Sequence, residues 1–225
     1  MRRTLAGLLL FGISFGYVEA AVVIYLRSIY EPLRQKFTPG QPPGELFPLL
    51  DLERLRTEEP KTASLLAIEL PREAATLLMI AGAALLVTGV RKAWLPAFAV
   101  AFGVWDISFY VFLKVLIGWP ASLATWDLLF LVPVPWAAPV WAPIVTSISV
   151  VACGCAALAR PLHPGRWHWI AMAAGCLLVL HSFTADFGNL IGGAIPHHFA
   201  WLPFVAGEVL GVAAFVHARR LRPGS

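Results

Sequence analysis

Nine ionisable side chains lie within otherwise apolar stretches of this sequence, where an isolated charge is destabilising. They are Glu19, Glu69, Arg72, Glu73, Asp106, Lys114, His181, Asp186 and Glu208. Ionisable residues inside a bilayer usually face the interior of a helix bundle and are candidates for ligand, ion or proton sites. With the orientation argued below, every acid lies in the middle or outer part of its stretch. The pattern predicts a polar cavity that opens to the outer side of a membrane.

Carboxylates together with histidine form a ligand set that suits Zn, Fe or Mn. If a divalent metal of this kind is the cofactor, the candidate ligands are Glu19, Glu73, Asp106, His181 and Glu208. For a reaction in the same cavity, the candidate catalytic acid–base residues are Asp106, Glu208, His181 and Asp186. Neither H-E-x-x-H nor E-x-x-H occurs in the sequence, so the metal hypothesis depends on composition alone.

A structural alternative for the same residues is a network of ion pairs that holds the helices together. In that network two cations neutralise buried acids: Arg72 and Lys114, with Glu69, Glu73, Asp106 or Glu19. The alternative fits Glu208 less well, because no Lys or Arg shares its predicted depth. Both hypotheses remain open from the sequence.

Helical geometry decides which of these side chains point the same way. At about 100° per residue, Asp106 and Tyr110 share one stripe of their helix. His181 lies about 140° from Asp186, so a straight helix cannot direct both side chains to one point. Glycines follow from Gly188 onward, and unwinding of the helix there would remove this objection.

The elements that must position these residues follow from the composition of the 225-residue chain. Hydrophobic residues make up 59% and charged residues 13%, against about 45–50% and about 25% in soluble domains. A soluble globule and a disordered chain are therefore both excluded. Six stretches reach the roughly 20 apolar residues that a membrane-crossing helix needs: Thr4–Arg27, Leu65–Val90, Ala93–Trp119, Trp136–Ala159, Trp167–Leu190 and Phe199–His217. The predicted fold is all-α, a polytopic membrane helix bundle forming a single domain over residues 1–225.

Charge predicts the orientation of this bundle. If the N-terminus is cytoplasmic, the inner segments hold no acids and nine basic residues: Arg2, Arg3, Arg91, Lys92, Arg160, Arg166, Arg219, Arg220 and Arg222. Lys and Arg are enriched in short cytoplasmic loops, which favours an N-in, C-in topology. The same basic rim accounts for the net charge of +4 and would attract anionic lipid headgroups. It leaves no reason to expect nucleic acid as a partner.

Two connectors carry further predictions. Phe47–Glu59 sets leucines among charges and predicts a short interfacial helix in the first outer loop. Pro120–Pro143 is nearly uncharged and rich in Trp and Pro, which is typical of a re-entrant or interfacial segment. Two small-residue stripes predict close helix packing: Gly12-xxx-Gly16 and Gly207-xxx-Gly211.

Three classes of function remain open. The first is a membrane-embedded enzyme, assisted by a metal, that acts on a lipid or isoprenoid. The second is a small ion- or proton-coupled transporter that uses the same carboxylates to bind an ion or a hydrophobic small molecule. The third is a non-catalytic subunit that associates with other subunits of a membrane complex. In each case the expected location is the cell membrane, such as a bacterial inner membrane, with membrane lipids as partners.

Overall fold

The computed structural model describes residues 2–37, 56–89, 91–160, 162–191, 196 and 198–220. Within these residues, six helices are long and apolar enough to cross a membrane, which confirms the predicted number. They are α1 (Arg2–Phe37), α2 (Pro60–Thr88), α3 (Arg91–Ile117), α4 (Trp141–Ala159), α5 (Arg166–Thr184) and α7 (Trp201–Arg220). The remaining elements are a short helix α6 (Phe187–Ile191) and two strands, β1 (Trp126–Phe130) and β2 (Trp136–Pro139).

The end of α2 illustrates how local sequence sets a helix boundary. Pro60 is the first residue of the helix, where its missing N–H costs no hydrogen bond. At the other end, Gly89 adopts a left-handed conformation with φ of 57°, and its N–H donates to the carbonyl of Leu85. Glycine adopts this conformation without the penalty that a Cβ would add. Two residues therefore separate the end of α2 from the start of α3.

The fourth helix begins later than predicted. Trp136–Pro139 is not helical but pairs antiparallel with Trp126–Phe130, with Trp126 opposite Pro139 and Leu128 opposite Ala137. The predicted start of the fourth span at Trp136 is therefore wrong, because the helix begins at Trp141. The hairpin falls within the connector predicted to be re-entrant or interfacial. Mutual pairing of the two strands satisfies backbone groups that an apolar environment would otherwise leave without partners.

The predicted fifth span, Trp167–Leu190, is also interrupted. Helix α5 ends at Thr184, and α6 begins at Phe187 after a turn at Ala185 and Asp186. The carbonyl of Asp186 then accepts from the backbone N–H groups of Asn189 and Leu190. The break precedes the glycines at which unwinding was predicted, because Asp186 restarts the hydrogen-bond ladder in the manner of a helix N-cap.

Glycines set the closest approaches between helices. Helix α3 packs against α1, α2 and α4, and α5 packs against α7. A Cβ on Gly16 of α1 would lie 2.7 Å from the Cβ of Ser108 on α3. A Cβ on Gly207 of α7 would lie 2.6 Å from the carbonyl oxygen of Gly175 on α5. Both predicted stripes therefore contain a contact that only glycine permits.

The predicted interfacial helix at Phe47–Glu59 lies mostly outside the described residues. Arg56, Thr57 and Glu58 are described and helical. Next to this turn, the Nζ of Lys36 at the end of α1 lies 3.0 Å from Oε1 of Glu59. The rest of that prediction stays a prediction.

Candidate functional site

A cavity of about 280 Å³ lies between α1, α2, α3, α4 and the β-hairpin, with Phe183 of α5 completing its wall. Most of its lining is apolar or aromatic. Set into this lining are five carboxyl groups and two guanidinium groups: Glu19, Glu69, Glu73, Asp106 and Asp127, with Arg27 and Arg72. Four of these acids were singled out from the sequence, and their convergence on one cavity matches the cavity expected from their distribution.

Arg72 of α2 joins two of the acids in one network. Its Nη1 donates to Oε2 of Glu19 on α1 at 2.5 Å, and its Nε donates to Oε2 of Glu69 at 2.8 Å. The second oxygen of Glu69 is bonded to Nη2 of the same guanidinium. Oε1 of Glu19 accepts from the hydroxyl of Thr76 at 2.8 Å. Of the predicted ion pairs, those of Arg72 with Glu19 and Glu69 are therefore present.

Glu73, one turn from Glu69, has a different role. It is 9% exposed, and its Oε2 accepts from the backbone N–H of Leu131 at 2.7 Å. Leu131 follows β1 directly, so Glu73 fastens the hairpin to α2. In the described part of the chain, Glu73 forms no salt bridge.

Asp106 lies on α3 and is 9% exposed. Its Oδ2 accepts from the hydroxyl of Ser147 on α4 at 2.8 Å. One turn along α3, the Tyr110 hydroxyl donates to Oδ2 of Asp127 at 2.9 Å. The stripe of Asp106 and Tyr110 predicted from helical spacing therefore faces the cavity.

Asp127 and Arg27 are site residues that sequence reasoning missed. Arg27 lies 3.9 Å from the centre of the Trp119 ring. Burial raises the pKa of the Asp127 carboxyl to about 6, while the charge of Arg27 and the hydrogen bond from Tyr110 oppose the rise. The available signal was that Asp127 is the only charged residue in an otherwise uncharged connector, 120–135.

In the part of the chain that the structure describes, Lys114 forms no salt bridge with an acid, so its predicted ion pair is wrong. Its Nζ lies 3.1 Å from the carbonyl oxygen of Gly118 and 2.8 Å from that of Pro120. A lysine at the end of a helix commonly binds free carbonyls in this way. The cation therefore closes the end of α3 and contributes no charge to the cavity.

Glu208 lies on α7 and is not among the residues that line the cavity. Its Oε1 accepts from the hydroxyl of Thr146 at 2.7 Å, whereas Asp106 is bonded to the neighbouring Ser147. Thr146 and Ser147 both line the cavity. Glu208 is therefore joined to the cavity wall through Thr146, but it is not itself a lining residue and does not share the cavity with Asp106.

His181 and Asp186 are also absent from the cavity wall. The buried positions of α5 are Gly175, Val179, Ser182 and Phe183, and their spacing defines the face that packs inward. His181 lies well away from that stripe and is exposed on the outside of the bundle. Asp186 accepts from Nδ2 of Asn189. Of the candidate catalytic residues, only Asp106 lines the cavity.

The candidate metal ligands divide in the same way. Glu19, Glu73 and Asp106 line the cavity, but Glu19 and Glu73 are engaged by Arg72 and Leu131. Across the described ranges, the structure contains no group of three or more His, Cys, Asp or Glu side chains that could hold a metal ion. The hypothesis of a Zn, Fe or Mn cofactor therefore has no ligand cluster to support it.

Two indole groups complete the polar inventory of the cavity wall. Trp105 precedes Asp106 on α3 and is 6% exposed, and Trp136 begins β2. Among described residues, the Nε1 atoms of both rings are buried and have no hydrogen-bond partner. A buried donor without an acceptor is destabilising, so both groups are available to an acceptor that enters the cavity.

Comparisons of the chain with protein-family models, with curated proteins and with solved structures return no match. The chain is an integral membrane protein by the length and composition of its six long helices.

Proposed function

We propose that this protein is a small proton-coupled transporter that carries a hydrophobic small molecule in the carboxyl-lined cavity. The observation that carries this proposal is a charge imbalance inside the membrane-spanning bundle. Five carboxyl groups share the cavity with two guanidinium groups, which leaves three carboxyl groups without a matching cation. Protons or a cationic ligand must supply the difference, since an uncompensated charge in a low-dielectric interior is strongly disfavoured.

A carboxyl group that is protonated when the cavity is empty and ionised when a ligand is bound couples ligand binding to proton release. When ligand enters, its charge or dipole takes over the role of the proton, which leaves the site. When ligand departs, a proton returns. Repeated on opposite sides of the membrane, this exchange converts a proton gradient into movement of the ligand.

The two other functions predicted from sequence have less support. A metal-assisted enzyme that acts on a lipid or isoprenoid needs converging ligands, and the described residues form no such group. A non-catalytic subunit of a larger membrane complex should have every buried charge paired. Asp106 instead has a serine hydroxyl as its hydrogen-bond partner, and among described residues it forms no salt bridge.

The proposed orientation is N-in, C-in in a bacterial inner membrane, with the cavity open to the outside and lipids around the bundle. Its support is the basic inner rim. The test is Glu31→Cys in a chain whose native cysteines, Cys153, Cys155 and Cys176, are replaced by alanine. The introduced thiol should react with an impermeant maleimide added to intact cells. Labelling that requires membrane disruption would contradict this orientation.

Proton occupancy of the cavity tests the transport proposal directly. Infrared spectra of the reconstituted protein at neutral pH should contain a protonated carboxylic C=O band that weakens in Asp106→Asn. Proteoliposomes with an imposed pH gradient should accumulate at least one member of a panel of hydrophobic acids, bases and neutral compounds. Asp106→Asn should lower that uptake at least tenfold.

The matched control is Glu31→Gln, which removes a carboxylate from α1 outside the cavity. Glu31 is bonded to Arg34 and is not a lining residue, so uptake and the infrared band should stay at wild-type levels. Fully ionised carboxyl groups at neutral pH, or unchanged uptake by Asp106→Asn, would contradict the proposal.

A further inference from the structure

We infer that the ligand of the cavity is a hydrophobic organic amine, positively charged, that also carries an oxygen hydrogen-bond acceptor and is held by Glu73, Asp106 and Trp105. This inference rests on the proposed transport function and names its substrate class.

The positive charge is indicated by how the two guanidinium groups are used. Arg72 bonds to Glu19 and Glu69, and Arg27 interacts with the charge of Asp127. Arg72 also exerts an attractive field on Glu73, but its hydrogen bonds go to the other two glutamates. Three cavity acids, Glu73, Asp106 and Asp127, form no salt bridge in the described ranges. Asp127 has the charge of Arg27 and the hydroxyl of Tyr110 beside it, which leaves Glu73 and Asp106 for the ligand.

Each of these two carboxyl groups keeps an oxygen for a ligand. Oε2 of Glu73 is bonded to the N–H of Leu131, and Oδ2 of Asp106 to the hydroxyl of Ser147. Among described residues, their second oxygens, Oε1 and Oδ1, have no hydrogen bond. An ammonium group is a compact donor of several hydrogen bonds, so it can donate to either of these oxygens.

Aromatic rings surround the same part of the cavity. The ring of Trp105 lies 5.5 Å from that of Phe102 and 6.2 Å from that of Phe130, centre to centre. The wall continues from Phe130 to Trp136 at 5.4 Å and from Trp136 to Phe183 at 6.4 Å. Aromatic faces attract organic cations, and more strongly where water is excluded. The rings also provide an apolar surface for the body of the ligand.

The oxygen acceptor is indicated independently by Trp105. Its side chain is more than nine-tenths buried, and its indole N–H has no partner among described residues. An oxygen atom near the ammonium group of the ligand would accept from it. A cavity of about 280 Å³ lies at the lower end of the roughly 300–1,000 Å³ that ligand pockets occupy. It suits a small amine and excludes a whole phospholipid.

Propranolol is a suitable probe, because it joins a naphthyl ring, an ether, a hydroxyl group and a secondary amine. The matched neutral compound is 3-(1-naphthyloxy)propane-1,2-diol, in which a hydroxyl group replaces the amine. Titration calorimetry of the purified full-length protein should give saturable binding of propranolol and at least tenfold weaker binding of the diol. Equal affinity for the two compounds would overturn the assignment of a cation.

Variants locate the binding. Glu73→Gln and Asp106→Asn should each weaken propranolol binding at least tenfold, while Glu31→Gln should not change it. Trp105→Phe keeps an aromatic ring, smaller than indole, but removes the N–H, so it should weaken propranolol binding much more than binding of 1-(aminomethyl)naphthalene, which has no oxygen. Unchanged propranolol affinity in Trp105→Phe or in Asp106→Asn would overturn the proposed site. If Asp106→Asn does not fold, Trp105→Phe alone provides the test.

The outcome separates this inference from the transport proposal. Protonated carboxyl groups and gradient-driven uptake of a compound other than an amine would overturn the substrate class and leave the transporter standing. Saturable propranolol binding would establish the amine site. If that binding releases no proton and no compound accumulates in proteoliposomes, the transport proposal would be overturned.

Discussion

Replacement of Arg72 by alanine should lower the free energy of unfolding by about 3–5 kcal/mol, the range found when one partner of a buried ion pair is removed. The side chain of Arg72 is only 28% exposed. Its two partners are also largely buried, with side-chain exposures of 9% for Glu19 and 13% for Glu69. Without it, two carboxylates remain in an apolar bundle with no cation bonded to either. The measurement is thermal and denaturant unfolding of the purified protein, followed by circular dichroism.

Two companion variants identify the cause of that loss. Arg72→Lys keeps the charge but not the planar fork of donors, so it should recover part of the lost stability. Arg72→Met combined with Glu19→Gln and Glu69→Gln removes the charges together and should be more stable than Arg72→Ala. An unchanged melting temperature in Arg72→Ala would mean that the guanidinium extends to water and holds neither acid.

Replacement of Gly207 by alanine should produce the second large effect, a destabilisation of about 1–3 kcal/mol or more, as is typical of overpacking. The added Cβ would lie 2.6 Å from the carbonyl oxygen of Gly175 and 2.9 Å from the backbone nitrogen of Val179. Backbone atoms cannot rotate away as a side chain can, so α5 and α7 would have to separate. A lower melting temperature in detergent is the expected result.

Gly211 supplies the control on the same helix and in the same stripe. A Cβ at this position would meet nothing within 4 Å. Gly211→Ala should therefore be neutral, or stabilising by up to about 1 kcal/mol through helix propensity. If the two variants lose equal stability, close packing at Gly207 is not the cause.

Some of the site was predictable because depth in a membrane follows from position along an apolar stretch. That argument placed Glu19, Glu69 and Glu73 in the outer part of their spans and Asp106 near the midplane, and all four line the cavity. The pairing of Arg72 with Glu69 was also accessible, since residues three apart lie on one helix face. The rest of the ion-pair prediction failed at Lys114, where free carbonyls near the end of the helix were closer partners.

The rotation of each helix about its own axis was not predictable from depth. His181 was a candidate for both metal binding and catalysis, yet it is exposed, because Gly175, Val179 and Ser182 turn the opposite side of α5 inward. Glu208 was expected to face the same cavity as Asp106. Its partner Thr146 lines the cavity, but Glu208 itself does not, because the packing of α7 against α5, and not depth, decides where its side chain lies.

The sequence by itself determined that six stretches are long and apolar enough to form membrane-length helices and that several acids lie within them, since both depend on local composition. Only the tertiary structure decided that Trp126–Phe130 pairs with Trp136–Pro139 and that Asp127 and Arg27 join the cavity. Pairing of strands and convergence of charges depend on contacts between distant residues. Such contacts are set by the packing of the whole bundle, and no short stretch of sequence predicts that packing.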